Sequence, residues 1–186
     1  MDSVDLLVLG AEVAIAIAGF SGIIATFQFG RENTARRGDA VAITMVVQFS
    51  FLSAAACAIA LILNSIGVTQ EFLWAVSSAA VSVFYVAMMY NIARGMRGAT
   101  KKTSVWIFVA ILQLFAAVAV VTNALNAIDY IFHRGPGPFF YGVGYAIGLA
   151  GYMFSRLLLR PIWRAVGEQE AIALAVKVDN KELTKP

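Results

Sequence analysis

Apolar residues dominate long, unbroken runs of this chain, and polar residues collect in the short gaps between them. Five runs stand out, at 4–29, 39–66, 71–94, 104–132 and 139–160. A helix that crosses a bilayer needs about 20 mostly apolar residues, and each run meets that length. The two-residue alternation of a strand in a membrane barrel is absent. At membrane depth every backbone amide must be satisfied within its own segment, which makes helices the natural choice. The pattern predicts an all-α, polytopic membrane protein. A five-helix transmembrane domain spans residues 1–165, and a short cytoplasmic tail follows at 166–186. Within that tail, 169–178 is suited to one amphipathic helix.

Composition agrees. Of 186 residues, 60% are hydrophobic and 13% charged, whereas a soluble domain is about 45–50% apolar and about 25% charged. The first run lacks the look of a signal peptide, because it opens on the acidic Met1-Asp2-Ser3-Val4-Asp5 where a positive n-region is wanted.

Charge in the gaps sets the orientation. Arg31, Arg36 and Arg37 follow the first run. Arg94, Arg97, Lys101 and Lys102 follow the third, and Arg160, Arg164, Lys177, Lys181 and Lys185 follow the fifth. No Lys or Arg precedes Arg31, the second gap (67–71) has none, and the fourth has Arg134 alone. The positive-inside rule therefore places the first and third loops and the C-terminus in the cytoplasm, with the N-terminus outside. An odd number of helices independently demands termini on opposite sides. Trp106 and Trp163 fall at the expected inner interface and Trp74 at the outer one, the depth that indole prefers. The net charge of +3 reads as helix orientation and lipid contact, with no nucleic-acid partner. Arg156, Arg160 and Arg164 form an i, i+4, i+8 stripe suited to lipid headgroups.

Small residues mark the faces where helices approach closely. Ala14, Ala18 and Gly22 recur every four residues on the first helix, with Gly19 beside them, and Gly144 and Gly148 do so on the fifth. Such spacing serves packing within one subunit or association between copies, and both remain open. The segment Glu12-Val13-Ala14-Ile15-Ala16-Ile17-Ala18-Gly19-Phe20-Ser21-Gly22-Ile23 resembles the first helix of a broad group of small bacterial membrane proteins. These carry an acidic residue, then an A-G-F-[SA]-G-like run, then a basic loop and a second long helix. The likeness covers roughly the first third of the chain. It implies a bacterial inner-membrane location and adds no chemistry.

Ionisable groups at membrane depth are costly, about 2.5–3.5 kcal/mol on insertion scales. Glu12 is the clearest, about 25 Å from the cytoplasmic end of its helix at 1.5 Å per residue. Similar distances along the other helices reach Cys57, Ser77, Ser78, Asn123 and Tyr145, with Asn126 slightly higher. A polar layer is expected there, with Glu12 as its only acid. In one reading Glu12 is a neutral hydrogen-bond donor to Asn123 or Tyr145 and glues helices together. In the other it faces a water-filled path and binds a cation or proton. Asp129 and His133, four apart, make a possible pH-sensitive pair at the end of the fourth helix. Val143-Gly144-Tyr145 echoes a potassium-filter string, but the fourth gap is too short for a pore loop.

With one cysteine and one histidine, one subunit lacks the ligands of a His/Cys zinc site, and no cofactor is expected. Paired carboxylates at depth, a His–Glu motif and a nucleotide-binding loop are also missing, so an enzyme is the least supported class. The expectation is a homo-oligomeric channel or small transporter for a cation or proton around Glu12. The alternative is a non-transporting scaffold or accessory subunit bound to another membrane protein.

Overall fold

The computed structural model describes residues 2–31, 37–96 and 103–159. The basic clusters around Arg36, Arg97, Lys101 and Lys102, together with Arg160, Arg164, Trp163 and the tail at 166–186, lie outside the described residues. Five helices account for nearly everything else: α1 (Ser3–Arg31), α2 (Arg37–Ser65), α3 (Gln70–Met96), α4 (Thr103–Ala127) and α5 (Gly137–Leu159). No strand occurs among the described residues. All five helices are long and apolar enough to cross a bilayer, the make-up of a multi-pass membrane protein.

Local chemistry explains the element ends. After α2, Gly67 adopts a φ of +73° and its N–H donates to the Asn64 carbonyl, the left-handed stop that glycine permits without a Cβ clash. Thr69 begins α3 by accepting from the Leu73 N–H at 3.0 Å. The fourth apolar run extends to about 132, but α4 stops at Ala127. Asp129, His133 and Arg134 then take φ values of 60°, 48° and 53°, a conformation no helix can contain. The turn closes at Gly135, whose N–H donates to the Phe132 carbonyl at 2.9 Å, and Pro138 sits in the first turn of α5, where a missing N–H costs nothing.

The helices run up and down. α3 and α4 are antiparallel, since Asn126 meets Ser78 while Val120 meets Ser82. α5 packs against three of the other helices. It reaches α1 where Val143 nears Gly10, α3 where Tyr85 donates to the Gly142 carbonyl at 2.7 Å, and α4 where Tyr145 donates to the Leu112 carbonyl at 2.7 Å. α1 is the most peripheral helix. Only 17% of its most apolar stretch is buried, against 44% for α2 and α3. Its inward stripe is Leu7, Ala14 and Ser21, all within 1% of complete burial. The seven-residue interval is that of helices packed at a shallow left-handed angle.

Two glycines hold the closest approaches between helices among the described residues. A Cβ on Gly142 would stand 2.9 Å from Val81 Cγ1 and 3.0 Å from Asn123 Nδ2, and one on Gly10 would stand 3.2 Å from Cys57 Sγ. Neither belongs to the small-residue strings singled out from the sequence. Among those, Ala14 is buried and Ala18 half-buried, while Gly19, Gly22, Gly144 and Gly148 are exposed, and a Cβ on any of the four would meet nothing within 4 Å. The exposed glycines therefore pack no helices inside one copy. Trp74, expected at an outer interface, lies in the first turns of α3 with its ring turned inward. It is 4% exposed and wedged against Phe139 and Phe140, with ring centroids 5.6 and 5.7 Å away. The two phenylalanines that open α5 give the indole a more complete apolar surround than an interface does.

Candidate functional site

The polar residues of the helices sort into an inner group and an outer one. Asn123 and Asn126 lie one turn apart on α4 and are completely buried. Asn123 Nδ2 donates to the Ala119 carbonyl at 2.9 Å and to the Pro138 carbonyl at 2.8 Å. Asn126 Nδ2 donates to Ser78 Oγ at 2.9 Å and to the Gly135 carbonyl at 2.9 Å. Both amide protons of each residue are thus engaged. Two of the acceptors belong to the turn and first residues that launch α5, so these amides clamp the α4–α5 connection to α3 and α4. That connection holds the three left-handed residues, and the clamp supplies what keeps such a strained turn in place.

Tyr85 and Tyr145 complete the inner group. Their rings lie 5.9 Å apart between centroids, and both hydroxyls donate to backbone carbonyls of neighbouring helices. Ser53 donates back to the Phe49 carbonyl at 3.0 Å, a common way for a serine to satisfy itself inside a helix. Five buried side-chain oxygens in the bundle have no partner: Ser50 Oγ, Ser77 Oγ, Gln113 Oε1, Asn123 Oδ1 and Asn126 Oδ1. The inner group is a set of helix-to-helix ties with a few spare acceptors, and no acid stands among them.

Glu12 is the outer group. Its depth agrees with the expected layer: Gly10 stands opposite Cys57 and Val143, and Gly142 opposite Asn123. Its direction does not bring it to that layer. Glu12 is exposed, two residues and so about 200° of rotation from the fully buried Ala14. The structure joins Ser78 to Asn126 and leaves Glu12 on the far side of α1 from Asn123 and Tyr145. Along the same outward face run Val8, Ile15, Ala16, Gly19 and Ile23, all exposed. The signal for this was present in the sequence. Leu7, Ala14 and Ser21 repeat at the interval of a packing seam, and Glu12 falls opposite it.

The remaining candidates are peripheral. Asp129 Oδ1 and His133 Nδ1 are 4.0 Å apart with side chains 44% and 91% exposed, in the turn and not on one helix face. Beside them Arg134 reaches Glu71 at 3.9 Å, which ties the two turns at this end of the bundle. Arg156 is exposed near the opposite end. Val143, Gly144 and Tyr145 lie in continuous helix, so their carbonyls are engaged in the helix and do not line a pore.

No family model, curated protein or solved structure matches the chain. The functional reading therefore rests on the geometry of Glu12 and its surroundings.

Proposed function

We propose that the chain is a multi-pass protein of a bacterial inner membrane that works as a homo-oligomer. The outward face of α1 lines a path for a cation or a proton between copies, and Glu12 is the binding group. The N-terminus lies outside and the C-terminus in the cytoplasm, as the clustering of Lys and Arg at alternate gaps supports.

One observation carries this reading: Glu12, the one acid among the described residues deep within an apolar span, projects from the least buried helix, on its outer surface. Against acyl chains that carboxylate costs about 2.5–3.5 kcal/mol. A neighbouring copy that encloses it in a polar seam removes the cost. The exposed Gly19 and Ala16 beside it allow close approach of another helix. A route through the middle of one copy has less support, because Asn123, Asn126, Tyr85 and Tyr145 are committed to tying helices together.

The test is flux into liposomes. Purified protein should carry protons or a monovalent cation in response to an imposed gradient, and Glu12→Gln should reduce that flux at least tenfold while leaving folding intact. Equal flux from both proteins, or none from the wild type, would sink the transport reading. A second reading is favoured by the same tied interior: a non-transporting scaffold or accessory subunit whose Glu12 pairs with a polar group of another membrane subunit. It predicts no flux from the wild type, and loss of a co-purifying partner in Glu12→Gln.

A further inference from the structure

Between α2, α3, α4 and α5 lies a cavity of about 140 Å³, separate from the α1 face. An engineered apolar cavity of about 150 Å³ accepts benzene or xenon, so this one is large enough for a hydrocarbon group. Its shape is elongated. On α5 the lining runs from Tyr145 to Arg156, about 16 Å along the bundle at 1.5 Å per residue. Its walls are adaptable. Met45, Met88, Met89 and Met153, four of the chain's six methionines, line it, and methionine is the side chain that best reshapes itself around a flexible apolar occupant. Arg156 is the only charged lining residue among the described residues, exposed at the end of the bundle where Arg94 also stands. No acid lines the cavity among the described residues.

We infer that this cavity holds a short stretch of one acyl chain of an anionic phospholipid from the cytoplasmic leaflet, with Arg156 on the phosphate. The volume, close to that of a cavity that takes benzene, and the mostly apolar walls fit a run of about six chain carbons. A basic group at the mouth fits a negative headgroup, and that leaflet is the one enriched in anionic lipid. The site touches four of the five helices, so an occupant stabilises their packing by binding only the assembled bundle. The inference shares its membrane orientation with the proposed function but does not depend on transport.

Native mass spectrometry of the full chain in detergent tests it, with phosphatidylglycerol and phosphatidylcholine of matched chains as probes. One basic side chain near a membrane surface corresponds to about fivefold in affinity. The wild type should therefore retain phosphatidylglycerol about fivefold better than phosphatidylcholine. Arg156→Gln should erase that preference. Ala116→Leu, which fills the cavity, should remove the tight adduct of both lipids while the helical signal and the unfolding midpoint hold. Phe51→Leu, at an exposed position of α2 outside the cavity lining, should leave lipid binding unchanged. Equal retention of the two lipids by the wild type overturns the inference. So does an adduct that survives Ala116→Leu, or one lost in Phe51→Leu. Glycerol phosphate competing as well as intact lipid would assign the site to a soluble anion and likewise overturn it.

Discussion

Two glycines two residues apart on α5 allow the packing account to be tested with its main confounder removed. Gly142 and Gly144 both lie inside the helix, so each gains about 0.5–1 kcal/mol of helix propensity on conversion to alanine. That gain cancels in the difference between the two variants. What remains is contact. A methyl at 142 would stand 2.9 Å from Val81 Cγ1 and 3.0 Å from Asn123 Nδ2, while one at 144 would meet nothing within 4 Å. Neither neighbour can retreat cheaply. Val81 is 1% exposed and stiff at χ1. The Asn123 amide is held by two hydrogen bonds of 2.9 and 2.8 Å. Overpacking of this kind costs about 1–3 kcal/mol, and loss of one interhelical hydrogen bond adds about 0.6 kcal/mol. Gly142→Ala should therefore be less stable than Gly144→Ala by about 2 kcal/mol. Reversible unfolding in mixed micelles, at one protein copy per micelle, measures it through far-UV dichroism and Trp fluorescence. Equal stability within about 0.5 kcal/mol would refute the close packing of α5 against α3 and α4.

Further outcomes follow from the turn and its clamp. Asn126→Ala removes donors to Ser78 and to the Gly135 carbonyl and should cost about 1–3 kcal/mol. The same substitution should also raise proteolysis within 128–136, and a protease-resistant turn would contradict the clamp. Asp129→Asn, by contrast, perturbs an exposed pair at 4.0 Å and should change stability by less than about 0.5 kcal/mol. A larger, pH-dependent loss would make that pair a structural switch after all.

Depth along the helices was legible in the sequence, and direction around them was only half so. Counting residues from the helix ends brings Glu12, Cys57, Asn123 and Tyr145 to one level, because an α-helix rises by a fixed amount per residue. Which way each one points depends on packing partners. A helix that is apolar all round carries little amphipathic signal to reveal them. Glu12 looked like a member of the inner layer for that reason. Gly10 and Gly142 were hidden for a related one: a glycine matters where a bulky neighbour comes close, and the neighbour is distant in the chain. The end of α4 was likewise illegible from hydropathy, because Ile128, Ile131 and Phe132 continue the apolar run through a turn that is not helical.

The central claim is that the Glu12 face of α1 lies between copies in the membrane. A spin label at Ala16, on that face and exposed, tests it most directly in a Cys57→Ala background reconstituted into lipid. The account predicts dipolar broadening between labels that disappears on dilution with unlabelled protein, together with access for a water-soluble relaxation agent. A label that shows no broadening at any dilution and relaxes only with oxygen, as a group among acyl chains does, would contradict it.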